Sequence, residues 1–166
     1  MNYQFRCAQP QDADTVMQII RERVDWMAKN NIHQWDQEYL SIYPAEYYSR
    51  KIQEKEIYLA CTPEDEIVGL VAVLEQDPYW GIPSDKNSYY LHHLATKCGV
   101  HGAGKALLDF CEELARKNGK ESLRLDCQKC NTRLNEFYAS MGYERVDTGA
   151  VEDGGYVGIR REKSLQ

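Results

Sequence analysis

The sequence predicts one domain of mixed α/β (α+β) class, with elements in the order β-α-α-β-β-β-α-β-α-β-β and a central sheet of about six to seven strands flanked by about four helices. Three observations carry this. The chain has 166 residues, the length of one domain. Segments with helical period alternate with short β-type runs along its length. It is 43% hydrophobic and 28% charged, as expected of a globular protein with a core.

The elements follow from local signals. Tyr3 to Ala8 reads as the first strand. Asp12 or Asp14 can cap a helix on which Val16, Ile19, Ile20, Val24 and Met27 recur with helical period, and Asn30-Asn31 ends it. His33 to Pro44 reads as irregular and aromatic, and a second helix follows through Glu46 to Gln53. Glu56 to Cys61 and Ile67 to Leu74 form a hairpin signal around Pro63-Glu64-Asp65. Asp77 to Ser88, with its prolines and glycine, is loop. Tyr89 to Thr96 is a fourth strand. A glycine-bearing turn, Gly99 to Gly104, then opens a helix with the apolar stripe Leu107, Leu108, Cys111 and Leu114, ending at Asn118-Gly119. In Ser122 to Cys127, Leu123, Leu125 and Cys127 face one way, Arg124 and Asp126 the other. Thr132 to Met141 is the last helix, and Tyr143 to Asp147 and Tyr156 to Arg161 close the sheet.

Charge and cysteines narrow the function. A formal net charge of −6 disfavours nucleic acid, which wants clustered positive charge, and mildly favours a cationic partner. No run is long enough to span a bilayer, and Met1 to Arg6 lacks an apolar signal core, so a cytoplasmic protein without a membrane partner is expected. Six cysteines in such a chain are expected as thiols. Cys127 and Cys130 form a lone C-x-x-C. A structural zinc site needs four ligands and no second pair follows, so no metal is expected; a redox pair is the remaining special reading.

The chemistry concentrates in Leu91 to Tyr143. A strand ends, the chain turns through Gly99, Gly102 and Gly104, and a helix starts at once. Glycines admit close approach of a ligand to the main chain, and the first helical amides with the helix dipole suit a pyrophosphate. Lys97, His101 and Lys105 add positive charge. The alternative is a tight strand-to-helix turn with small residues. The spacing Gly99-x-x-Gly102-x-Gly104 is neither a Walker loop nor the dinucleotide fingerprint.

Beyond it, Leu123-Arg124-Leu125-Asp126-Cys127 leads to Asn131 and then to Asn135-Glu136-Phe137-Tyr138-Ala139-Ser140-Met141-Gly142-Tyr143. With Leu94-Ala95-Thr96 and Gly102-Ala103-Gly104-Lys105-Ala106-Leu107-Leu108 ahead of it, this succession resembles the GNAT acetyltransferases. There a strand leads to a Q/R-x-x-G-x-G/A turn and helix, then a second strand leads to an Asn and an F-Y-x-x-x-G-F/Y helix end. In the register that keeps both glycines, the Gln/Arg position falls on Gly99. A shift by two places His101 there, with Gly104 and Ala106, but sets Asp109 on an apolar helix position.

The resemblance implies an N-acetyltransferase that moves acetyl from acetyl-CoA to a primary amine by direct attack on the thioester. Its expected partners are acetyl-CoA and a small amine acceptor, with a homodimer as the candidate assembly. Leu94 and Thr96 would pair with the pantetheine arm. Gly99, His101, Gly102, Ala103, Gly104 and Lys105 would hold the pyrophosphate. Asn131 would support the cofactor, and Tyr138 would bond the thioester sulfur and protonate the leaving thiolate. The chemistry requires such groups: a lysine-like amine with a pKa of about 10.4 needs a base, and a thiolate of pKa roughly 8.5 leaves more easily with an acid. By strand period His92 shares a face with Tyr90, Leu94 and Thr96 and is the candidate base; Glu22 is a second. Trp26, Trp35 and Asp36, within an aromatic-rich span, are candidate acceptor contacts, or part of a helix-loop-helix packed on the sheet. The alternative function is a non-catalytic acyl-CoA-binding or sensor module of the same fold.

Overall fold

The computed structural model describes residues 2–147 and 149–166; Met1, where the N-terminal reading begins, lies outside them. The chain forms two compact units, each from two segments: Met1–Val73 with His92–Phe110, and Leu74–Leu91 with Cys111–Gln166.

The first unit opens with β1 (Gln4–Cys7) and a single turn at Pro10–Asp12, which run into α1 (Ala13–Lys29). Asp12 does not cap α1 through its side chain as expected. It takes a two-pronged bond from Arg6 (2.7 and 3.1 Å) and accepts the Gln9 amide (2.7 Å). The Arg6 guanidinium holds its carboxyl below the usual range. Val16, Ile19, Ile20 and Val24 are buried, the helical stripe read from sequence. The helix ends at Asn30, with Asn31 at φ 53°.

A short helix, α2 (Gln37–Ile42), lies where irregular chain was expected. None of its residues is fully buried, so it shows no clear apolar period; the Asp36 carboxylate caps it by accepting the Tyr39 amide (3.1 Å). Next come α3 (Ala45–Gln53), β2 (Ile57–Cys61) and β3 (Ile67–Leu74). Strand β2 is antiparallel to β1 (Phe5↔Ala60) and to β3 (Leu59↔Leu70). The later part of β4 (Ser88–Thr96) and the start of α4 (Ala103–Lys117) complete this unit. Its sheet order is β1-β2-β3-β4.

The second unit begins with the first residues of β4, which pair in parallel with β5 (Ser122–Gln128) from Ser88↔Ser122 to Tyr90↔Arg124. Strand β8 (Tyr156–Ser164) runs antiparallel along all of β5, with Leu125 opposite Arg161. Two short strands, β6 (Glu144–Arg145) and β7 (Val151–Asp153), both pair with β8. The unexpected β7 makes a two-residue hairpin with β8 through Gly154 and Gly155, both at positive φ, the conformation glycine supplies at least cost. Leu123, Leu125 and Cys127 are buried, as their alternation predicts, and α5 (Thr132–Ser140) follows β5. The order here is β4-β5-β8-β6.

The outcome is a mixed α/β fold with a mostly antiparallel sheet, five helices and eight strands among the described residues, where about four and six to seven were expected. No helix among them is long and apolar enough to cross a membrane.

Candidate active site

The end of β4 sets the geometry of the turn. The Lys97 amide donates to the Val68 carbonyl of β3 (2.8 Å). Main-chain groups alternate along a strand, so those of Leu94 and Thr96 turn to the opposite edge. Part of that edge is already bonded: the Thr96 carbonyl accepts from Arg23 Nε and Nη2 of α1 (3.1 and 2.6 Å). Nη2 also donates to Thr96 Oγ1 (3.0 Å) and to the Lys97 carbonyl (3.3 Å).

Gly99 and Gly102 adopt φ of 83° and 80°, and a Cβ on either would meet no atom within 4 Å, so backbone conformation is what asks for glycine here. The Tyr3 hydroxyl donates to the His101 carbonyl (2.8 Å). Helix α4 follows directly: the Gly102 carbonyl accepts the Ala106 amide (3.0 Å). Because Gly102 has no side chain, it cannot cap the amides of buried Ala103, half-buried Gly104 and exposed Lys105. His101 is exposed. The two lysines are engaged with carboxylates, Lys97 with Glu66 and Lys105 with Asp109, each at 2.7 Å.

On β4, His92, Leu94 and Thr96 are half-buried while Leu91, His93 and Ala95 are buried. His93 sits at φ 55°, a left-handed conformation in mid-strand. It is 7% exposed, with Tyr47 Oη at 2.9 Å from Nε2 and the hydroxyls of Tyr39 and Tyr48 on Nδ1, Tyr48 at 3.5 Å. Burial pushes its pKa well below 6.5, and the neighbouring His92 and Lys51 add to this, so the imidazole is neutral. The His92 ring lies 5.8 Å from it. The aromatic span read as an acceptor wall thus turns its hydroxyls onto His93. Trp35 stacks on Tyr39 (4.7 Å between ring centroids), Trp26 lies under the Arg23 guanidinium (5.0 Å), and Asp36 is the α2 cap. Glu22 accepts from Gln18 (2.8 Å) and borders an open groove of about 410 Å³ with Asp14 and Asp25.

In the second unit, Asn131 Oδ1 caps α5 by accepting the Leu134 amide (3.2 Å). Tyr138 on that helix is 6% exposed, its ring against Phe137 and Tyr143, and its hydroxyl makes no hydrogen bond among the described residues. Burial, then the nearby Cys127 and Asp126, push its pKa far above 10, so it keeps its proton. Burial also raises the Cys127 thiol to about 12, the reverse of what a redox C-x-x-C needs.

Residues 21–143 match the Acetyltransferase (GNAT) family. The chain belongs to this family. Membership makes it an acetyltransferase with acetyl-CoA as donor. Among curated protein sequences no relative matches the chain. Solved GNAT structures share its fold. A GNAT-family acetyltransferase from Listeria monocytogenes superposes with a TM-score of 0.78 at 20% identity, covering 96% of this chain and 94% of that one. The PaiA N-acetyltransferase from Thermoplasma acidophilum, in complex with coenzyme A, gives 0.75 at 21% identity, covering 99% of each chain. YncA from Salmonella typhimurium, with acetyl-CoA, gives 0.70 at 13% identity, covering 100% of this chain and 95% of that one.

Within this GNAT chain, two features escape sequence reasoning. Arg23 reaches residues more than seventy positions away, and no local pattern marks that contact. The tyrosine cage of His93 is likewise built from distant residues, and no glycine announces the left-handed turn at His93.

Proposed function

We infer that the protein acetylates a primary amine of a small molecule or peptide in the cytoplasm, acting as one acetyltransferase domain over residues 1–166. The observation that carries this reading is the turn from Gly99 to Gly102 leading straight into α4, whose first amides receive no capping side chain from Gly102. The residues fit a coenzyme A diphosphate: the two glycines leave open space around the turn, and the amides of Ala103, Gly104 and Lys105 have no capping side chain from Gly102. Leu94 and Thr96 offer main-chain groups to the pantetheine amides. Because Arg23 occupies the Thr96 carbonyl, the Thr96 contribution is its amide.

When bound, acetyl-CoA supplies an activated acyl carbonyl. The residues of this chain then manage protons. His92 accepts the proton of the ammonium, which at neutral pH is the dominant form of an alkyl amine. Burial keeps the Tyr138 hydroxyl protonated, and it donates to the thiolate as the thioester breaks. Asn131 stiffens the start of α5, which carries Tyr138. Trp26, Trp35 and Asp36 are the proposed acceptor contacts, and the acidic side chains near Glu22 favour a cationic acceptor.

A second reading, an acyl-CoA sensor without turnover, is favoured by the pairing of Lys97 and Lys105 with carboxylates, which leaves the turn without a free lysine. A panel of polyamines, aromatic amines and peptides separates the two. Amine-dependent release of CoA supports the enzyme. Acetyl-CoA binding with no release on any acceptor, unchanged by Tyr138→Phe, supports the sensor.

A further inference from the structure

We propose that Arg23 of α1 is the positioning residue of the diphosphate turn and the source of its positive potential. The inference rests on the acetyl-CoA reading above and specifies how that site is built. Arg23 is half-buried and meets no carboxylate among the described residues. Its fork is spent on neutral acceptors alone: the carbonyls of Thr96 and Lys97 and the hydroxyl of Thr96. Trp26 covers the guanidinium, its ring centroid 5.0 Å away. The two lysines at the ends of the turn are each neutralised by a carboxylate, whereas the charge of Arg23 is not.

The fork also sets peptide orientation. In a trans peptide the C=O of one residue and the N–H of the next point in opposite directions. Holding the Thr96 carbonyl toward α1 sends the Lys97 amide the other way, where it meets the Val68 carbonyl at 2.8 Å. Holding the Lys97 carbonyl toward α1 likewise turns the Cys98 amide away from Arg23, outward from the turn. The Cys98 thiol adds a weak contact back to the Glu22 carbonyl of α1 (3.9 Å). From the far side, Tyr3 holds the His101 carbonyl (2.8 Å). Helix α1 therefore fixes the entry of a turn whose glycines would otherwise leave it loose, and places a cation behind it.

The test compares two donors by calorimetric titration: acetyl-CoA, and S-acetyl-pantetheine, which keeps the thioester arm and lacks the diphosphate. Arg23→Gln is expected to weaken acetyl-CoA binding by about tenfold or more, the scale of a charge-assisted interaction, and to leave S-acetyl-pantetheine within about twofold. Arg23→Lys, which keeps the charge and loses the fork, should fall between. Thr96→Val removes one acceptor of the fork, keeps the side-chain shape, and should weaken acetyl-CoA by about threefold, more than it weakens S-acetyl-pantetheine; it carries the test should the Arg23 variants not fold. Unchanged acetyl-CoA affinity in Arg23→Gln, or equal losses for both donors, overturns the proposal. Failure of the unaltered protein to bind acetyl-CoA overturns the underlying reading instead, and is seen before any variant is made.

Discussion

The Tyr47 hydroxyl lies 2.9 Å from Nε2 of His93, closing one side of a tyrosine cage around an imidazole that is kept neutral by burial. This arrangement has a signed consequence for stability. In the unfolded chain a histidine titrates near pH 6.5, while the folded value of His93 lies well below it. Between the two values the unfolded state binds the extra proton, so stability is full above about pH 6.5 and falls as the pH drops through that window. His93→Gln should flatten the fall by up to about 1.4 kcal/mol per pH unit, read from urea midpoints at neutral pH and near pH 5. An unchanged slope would show that His93 is not the group responsible.

Gly69 of β3 has no room for a side chain. A Cβ there would stand 3.1 Å from the Ala95 carbonyl, 3.1 Å from Leu107 and 3.2 Å from Thr96. Gly69→Ala should cost about 1–3 kcal/mol by overpacking. It should also displace the β4 edge at Ala95-Thr96 and so weaken acetyl-CoA binding. Thermal unfolding and calorimetry on the same sample check both; lost stability with full affinity would separate Gly69 from the site.

Removing the Tyr138 hydroxyl tests the acid role cleanly, because that group makes no hydrogen bond among the described residues. Tyr138→Phe should leave the unfolding free energy from urea titration within about 0.5 kcal/mol of the unaltered protein, as for a change that breaks no contact. With an accepted amine, kcat should drop about a hundredfold and KM for acetyl-CoA should hold. Near-normal kcat would remove Tyr138 from the chemistry.

Thiol reactivity should divide by burial. Cys98 and Cys130 are exposed; Cys61, Cys111 and Cys127 are buried, with burial raising the Cys127 thiol to about 12. Iodoacetamide should label Cys98 and Cys130 within minutes and leave the other three until the protein unfolds, as peptide mass mapping would read. Rapid labelling of Cys127 would revive a redox role for the C-x-x-C.

How much of this was legible in sequence depended on period and length. The stripe of Val16, Ile19, Ile20 and Val24 and the alternation of Leu123, Leu125 and Cys127 marked α1 and β5, because each buries one face. Helix α2 carried no such mark, since none of its six residues is fully buried and its start rests on the Asp36 cap. Strand β7 was too short to alternate, although Gly154-Gly155 is a hairpin turn in plain view. The turn glycines, Asn131 and Tyr138 stand out in the sequence through their order along the chain, which is what makes them candidates. Arg23 and the cage around His93 were not, because contacts between distant residues leave no local pattern.

The most direct test of the account is calorimetric titration of the unaltered protein with acetyl-CoA, with Gly102→Ala alongside. The φ of 80° at Gly102 makes that substitution strain the start of α4 by about 1 kcal/mol or more without any clash. The account predicts micromolar binding to the unaltered protein and clearly weaker binding to the variant. No binding up to millimolar acetyl-CoA, or equal binding by both proteins, would contradict a diphosphate site in the turn between Gly99 and Lys105.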